Sequence, residues 1–215
     1  MLRRIKAGAA VDWCFPTRGG VGQGCIMRVY LAGPDVFFPD PLARGAELKA
    51  VCARHGLTGV FPLDALADEP ADWADLPEWQ RIARRNEAHI GGCAALIANL
   101  TPFRGPSADV GTVFELGFAR ALGRPVFGWS GCAESFADRT RRLHGHARDQ
   151  TGVWRDGEGM AVESFGCRDN LMIDGAIAAS GGWLEAADLP PARRWSDLGA
   201  FERCVAAAAS RLGRG

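Results

Sequence analysis

The sequence predicts an α/β fold: one domain built on a doubly wound parallel sheet, flavodoxin- or Rossmann-like in layout. Three observations predict it. From Met27 onward, short β-type runs alternate with helical segments. Strands alternating with helices pair in parallel, because the chain must cross back before the next strand begins. The runs are apolar almost throughout, as expected when both faces of a sheet are covered. A chain of 215 residues, 47% of them apolar, also holds enough core for a single domain.

Residues 1–26 show no periodic apolar face and end in Arg18-Gly19-Gly20-Val21-Gly22-Gln23-Gly24. That stretch resembles a phosphate loop, but it precedes the first strand and lacks the Lys-Ser/Thr pair that such a loop needs. The expectation is a flexible extension over 1–26 and a domain over 27–215. Within the domain, strands are expected at 29–32, 59–63, 95–100 and 125–129, and helices at 41–55, 77–91 and 110–122. Residues 131–160 are charged and Gly-rich, so surface loops and an antiparallel excursion are expected there. Further helices are expected at 170–180 and from Ser196 to the end.

Composition narrows the partners. Lys plus Arg and Asp plus Glu number 25 each, so no long-range field favours nucleic acid or a membrane surface. No apolar stretch approaches the ~18 residues of a membrane span, and the N-terminal apolar run is broken by Asp12 before it makes a secretory signal. A cytoplasmic protein is expected. The seven cysteines, at positions 14, 25, 52, 93, 132, 167 and 204, are scattered singly, without zinc or redox-dithiol spacing. His144 and His146 have no nearby Cys or carboxylate at ligand spacing. Neither a metal nor a cofactor is expected.

In a doubly wound fold the site lies beyond the C-terminal ends of the strands. Read there, the chain offers Tyr30-Leu31-Ala32-Gly33-Pro34-Asp35, Phe61-Pro62-Leu63-Asp64, Asn99-Leu100-Thr101-Pro102-Phe103-Arg104-Gly105-Pro106, and Asp109-Val110-Gly111-Thr112-Val113-Phe114-Glu115-Leu116-Gly117. Asp109 is placed to cap a helix. Glu115 falls on the same helical face as Gly111 and Thr112. Its side chain leans back over Gly111, which leaves room for a ligand. The positive helix end is expected to help keep it ionised, and an ionised, positioned carboxylate in a cleft can act as a nucleophile.

These segments, in this order and followed by Asn170-Leu171-Met172, resemble the nucleoside 2-deoxyribosyltransferase family from about residue 27 to 172. The resemblance implies that Glu115 attacks the anomeric carbon to form a covalent deoxyribosyl-enzyme, which a second base then captures. It implies that Tyr30 orients this carboxylate and that Asp109 holds the sugar hydroxyls. Substrate contacts are expected from Gly33, Pro34, Phe37, Asp64, Asn86, Phe103, Arg104 and Gly111. Asn170 and Met172 are expected to reach a neighbouring subunit's site, which makes the protein a homo-oligomer whose partners are a deoxynucleoside and a free nucleobase.

One departure stands out. Many members carry an aspartate where this chain has Asn86, and an amide contacts a base without protonating it. Glu87, one helical step on, is expected to point elsewhere. The expected reaction is base exchange with retention, since two displacements at one carbon restore the anomer. Two alternatives are a hydrolase acting on deoxynucleoside 5′-monophosphates, with Ser107 as the obvious phosphate ligand, and a catalytically silent nucleotide-binding module.

Overall fold

The apolar runs assemble into a five-stranded, wholly parallel sheet in which the strands at 57–60, 27–32, 95–99, 126–130 and 184–186 lie side by side in that order. The protein is seen here as a computed structural model that describes residues 27–213. The expected extension over 1–26 lies outside the described residues.

In chain order the elements are β1 (Met27–Ala32), α1 (Pro41–Arg54), β2 (Leu57–Val60), α2 (Glu78–Gly91), β3 (Ala95–Asn99), α3 (Val110–Ala121), β4 (Val126–Ser130), α4 (Phe136–His144), β5 (Ala147–Arg148), β6 (Trp154–Arg155), α5 (Leu171–Ala179), β7 (Leu184–Ala186) and α6 (Gly199–Leu212). The chain leaves β1 toward one neighbour, β2, and later enters β3 on the other side. The crevice between β1 and β3 is therefore the topological switch point where ligands of such sheets sit.

The pleat of β1 sorts its side chains into two cores. Val29 and Leu31 join the cluster holding Leu48, Val51 and Cys52 of α1 and Phe201, Cys204 and Val205 of α6. Tyr30 and Ala32 join the cluster holding Ile90 of α2, Leu116 and Ala119 of α3, and Ile173 and Ile177 of α5. Each fully buried aliphatic side chain contributes ~1.5–3 kcal/mol. Tyr30 is thus aimed at the α2/α3 face by its register in the strand.

Side-chain oxygens start four of the six described α-helices, α1, α3, α4 and α5. Asp40 accepts from the Ala43 amide ahead of α1, whose first residue is Pro41. Asp109 accepts from the Thr112 amide over 2.9 Å and Ser135 from the Asp138 amide over 3.2 Å. Each satisfies a backbone donor that the helix leaves free.

The fold class is the one expected, and several boundaries shift for local reasons. The second strand ends at Val60 rather than 63. The Asp64 carboxylate accepts from the Phe61 amide over 2.9 Å, and the Asp64 amide donates to the Phe61 carbonyl over 2.9 Å, so 61–64 is a closed turn. Between 131 and 160 the antiparallel pair β5–β6 is present, but so is α4. The last helix starts at Gly199, where Asp197 accepts from the Gly199 amide. Strand β7 was not anticipated: its three half-buried residues give too short a signal. Among the described residues, no helix is long and apolar enough to cross a membrane.

Candidate active site

Three elements converge on one carboxylate. Tyr30, buried near the end of β1, donates its hydroxyl to Glu115 Oε1 over 2.8 Å, and Asn86 of α2 donates its amide to the same oxygen over 3.1 Å. Both bonds fall on Oε1, so Oε2 is the oxygen left for a ligand. Asn86 Oδ1 is buried and has no hydrogen-bond partner among the described residues. A buried acceptor without a partner is costly, and a donor on a bound molecule would satisfy it.

Glu115 stands at the edge of a cleft of about 280 Å³ between α2 and α3, whose walls are Trp79, Ile82, Asn86, Ile90, Gly111 and Phe114. Gly111 borders the cleft, and a Cβ there would lie 3.1 Å from Asp109 Oδ2. Glu87 also lines this cleft, contrary to the expectation that it points away. Two consecutive helical residues can both border a wide groove, because one helical step turns the side chain by only ~100°.

The protonation of Glu115 corrects a second expectation. Burial pushes its carboxyl up to about 7, and the Asp109 charge adds to this, outweighing the Tyr30 and Asn86 hydrogen bonds that favour the ionised form. Burial thus works against the ionised form that the helix N-terminus favours. Burial pushes the Tyr30 hydroxyl far up, and the neighbouring Glu115 charge pushes it further. Tyr30 therefore remains a hydrogen-bond donor at any ordinary pH.

Asp109 caps α3 through Oδ2, which accepts from both the amide and the hydroxyl of Thr112. Gly33 is required by close packing: a Cβ there would lie 2.6 Å from Asp35 Oδ2 and 2.8 Å from Asn99 Cβ. Beneath it runs a polar row that the sequence reading missed. Arg44 Nε donates to Asp35 Oδ1 over 2.8 Å, Asn99 Nδ2 donates to Asp35 Oδ2 over 2.8 Å, and Asn99 Oδ1 accepts from the Thr101 amide. All three side chains are buried. The row ties the end of β1 to the end of β3 and so fixes the floor of the crevice.

The loop from Asn99 to Asp109 is anchored by a second buried group, also missed. Asp169 takes the Ser107 hydroxyl and the Ala108 amide, while Arg139 Nη2 lies 3.4 Å from its carboxylate. Arg139 further donates to the carbonyls of Pro106, Glu134 and Arg168. Lone charged residues in loop-rich sequence carry no periodic signal, so nothing in the sequence pairs Asp169 with Arg139. The cleft wall was legible in principle: Trp79, Ile82, Asn86 and Ile90 recur at three- and four-residue spacing along α2.

Other expected contacts are placed elsewhere. The Asp64 carboxylate is engaged by Lys49 Nζ at 2.6 Å and by the Phe61 amide, away from the cleft around Glu115. Pro34, Phe37 and Phe103 line a separate aromatic pocket, with Arg104 stacked over the rings of both phenylalanines. Asn170 caps α5, its Oδ1 accepting from the Met172 amide and its amide donating to Glu163. Met172 is exposed, and neither residue lines the cleft of its own chain. The described cysteines at 52, 93, 132, 167 and 204 are free thiols.

Comparison with known proteins adds an independent line. The family model described as nucleoside 2-deoxyribosyltransferase matches residues 29–172. An uncharacterized protein of Schizosaccharomyces pombe is 32% identical over 169 residues, which cover 73% of this chain and 79% of that protein. A solved structure described as a 2-desoxiribosyltransferase from Leishmania mexicana is similar at 29% identity and a TM-score of 0.51, over 71% of this chain and 95% of that one.

Proposed function

This chain belongs to the nucleoside 2-deoxyribosyltransferase family, and from that premise we propose that it moves a 2-deoxyribosyl group between nucleobases through a covalent intermediate on Glu115. The observation that carries the reading is the carboxylate held at Oε1 by Tyr30 and Asn86, with Oε2 taking no hydrogen bond from the described residues beside an open cleft.

In the first displacement, ionised Glu115 Oε2 forms a bond to C1′ as the N-glycosidic bond breaks and its electron pair leaves with the base. The transition state is oxocarbenium-like, and a nearby carboxylate stabilises it. In the second displacement, a ring nitrogen of the incoming base attacks C1′ and gives up its proton, in balance with the one taken up by the departed base, and the glutamate leaves as carboxylate. Two inversions return the original anomer. Tyr30 and Asn86 fix the carboxylate's orientation throughout, and the unpartnered Asn86 Oδ1 can accept a hydrogen from the base or the sugar. Asp109, at the mouth of the helix, would hold sugar hydroxyls through Oδ1, because Oδ2 is committed to Thr112.

The deoxynucleotide hydrolase alternative draws less support. Ser107, its phosphate ligand, donates its hydroxyl to Asp169, and a buried carboxylate beside that hydroxyl opposes a phosphate. A silent nucleotide-binding module would not need a carboxylate oriented by two donors. The test is mass spectrometry of the full chain after incubation with deoxyinosine, followed by addition of a second base. The expected result is an added deoxyribosyl mass that maps to Glu115 and disappears as the new nucleoside forms. Base release with no adduct and no new nucleoside would favour the hydrolase, and no turnover the binding module.

A further inference from the structure

Base exchange moves a proton as well as a sugar. A departing base takes up a proton to leave as a neutral molecule, and an incoming base loses one as its ring nitrogen attacks. The groups gathered on the nucleophile cannot serve. Asn86 is an amide and has no proton to transfer. Tyr30 donates its hydroxyl to Glu115 Oε1, and burial holds its proton in place. Glu115 itself is spent on C1′.

Glu87 is the remaining titratable side chain among the described residues that line the cleft of about 280 Å³. It stands on α2 and Glu115 on α3, so the two carboxylates belong to facing walls. A helical side chain leans toward the N-terminus of its helix, over the residue four positions earlier. For Glu115 that residue is Gly111, and for Glu87 it is Ala83. Both border the same cleft, and both are too small to fill the space above them. A nucleophilic carboxylate and an acid–base carboxylate on either side of a glycosidic bond are what a retaining displacement needs.

The cations of α2 that could have neutralised Glu87 are turned away from it. Arg85 donates to Glu69 over 3.0 Å and Arg81 lies 3.6 Å from the same carboxylate. Arg84 stacks over the Trp73 ring at 5.8 Å, and His89 bonds the Asp64 carbonyl at 3.0 Å. All four of these side chains face the segment that precedes α2. Glu87 takes no hydrogen bond and no ion pair from the described residues, so its carboxylate is left to whatever enters the cleft.

We propose that Glu87 is the acid–base group of the exchange and shuttles one proton between the two bases. The assignment rests on the transferase reading above. In the first displacement the Glu115 Oε2 bond to C1′ forms, the N-glycosidic electron pair leaves with the base, and the Glu87 carboxyl gives its proton to a ring nitrogen of that base. In the second, a ring nitrogen of the incoming base bonds to C1′, the bond to Glu115 breaks, and the Glu87 carboxylate takes the proton released by that base. The proton that leaves Glu87 in one step returns in the other, so the cycle closes with no proton gained or lost.

The test compares two leaving groups in the full chain. Hypoxanthine must be protonated to leave deoxyinosine as a neutral base. The base of 7-methyl-2′-deoxyguanosine is already cationic and leaves neutral without a proton. Base release is followed by chromatography for the wild type, Glu87→Gln and Glu87→Asp, with melting curves to verify folding. Glu87→Gln is expected to slow release from deoxyinosine about a hundredfold or more, and to lower the ratio of the deoxyinosine rate to the 7-methyl rate at least about tenfold. Glu87→Asp, which keeps a carboxyl, is expected to recover part of that ratio. Should Glu87→Gln fail to fold, Glu87→Ala gives the same readout. Equal slowing of both substrates would show a structural role only, and a folded Glu87→Gln with wild-type rates would overturn the assignment outright. A wild type that releases base in a Glu87-dependent way, yet forms neither an adduct nor a new nucleoside, would instead sink the transferase reading alone.

Discussion

The Tyr30 hydroxyl and Glu115 Oε1 meet at 2.8 Å although 85 positions separate them in the chain. The contact exists because β1 is central, its pleat turns Tyr30 toward α3, and α3 brings Glu115 back across the same strand. Removing the hydroxyl with Tyr30→Phe takes away a donor that favours ionised Glu115. The acid limb of the pH profile of kcat/KM is expected to move upward, with kcat falling about tenfold or more at neutral pH. A pH profile superimposable on the wild type would separate Tyr30 from the nucleophile.

Glu115→Gln is expected to abolish adduct formation and to stabilise the protein at neutral pH. Burial pushes the Glu115 carboxyl from its ordinary value of 4.5 up to about 7. Its contribution to stability is therefore complete below the ordinary carboxylate range and lost as pH rises through about 7. An uncharged amide escapes that loss, so Glu115→Gln should exceed the wild type by about 1 kcal/mol at pH 8, read from denaturant melts at pH 5 and pH 8. For the same reason, wild-type kcat/KM should climb with pH and level off above about 7. A variant less stable than wild type at pH 8 would count against the burial argument.

Asn86→Ala is expected to slow transfer or weaken base binding without abolishing activity, because the amide supplies contacts and no transferable proton. Asn86→Asp places a second carboxylate against Glu115, and like charges raise each other's affinity for protons. The acid limb should then shift further upward than in Asn86→Ala. Steady-state rates between pH 5 and pH 9 discriminate the two variants, and identical profiles would show that Asn86 acts on something other than Glu115.

Asp169→Ala removes one partner of a buried ion pair and leaves Arg139 facing only carbonyls. Breaking such a pair costs about 3 kcal/mol or more. It should also loosen the Asn99 to Asp109 loop, so hydrogen exchange over 101–108 is expected to accelerate. Unchanged exchange in that loop would mean that Asp169 anchors α5 alone.

Complementation tests whether the site spans two chains. Val110, Phe114 and Met172 are 84%, 63% and 71% exposed on the face formed by α2, α3 and α5, an apolar surface of the kind that partners cover. We propose that the active unit is a homo-oligomer in which Asn170 completes a neighbouring site. Mixing inactive Glu115→Ala and Asn170→Ala chains should restore activity, because some hybrid sites then hold both intact residues. Asn170 also caps its own helix, so Asn170→Asp, which keeps a capping oxygen, separates loss of the cap from loss of the amide. An Asn170→Ala chain that folds and works alone would place the whole site within one chain.

Local chemistry made much of this protein legible in the sequence. The Tyr30, Asn86 and Glu115 set rests on the resemblance to the family, whereas alternation of β and helical runs defines the parallel sheet and Asp109 and Asn170 are caps by residue type and position. Those features depend on periods of two to four residues or on short fixed spacings, which survive in one dimension. What tertiary structure decided are the pairings without such spacing. Asp35 meets Arg44 and Asn99, Asp169 meets Arg139, and Trp195 closes a pocket with Phe37 and Phe103. The charge state of Glu115 belongs with these. Helix position alone argues for an ionised carboxylate, but burial between α2 and α3 raises the carboxyl's hold on its proton, and burial is set by which helices the sheet brings together.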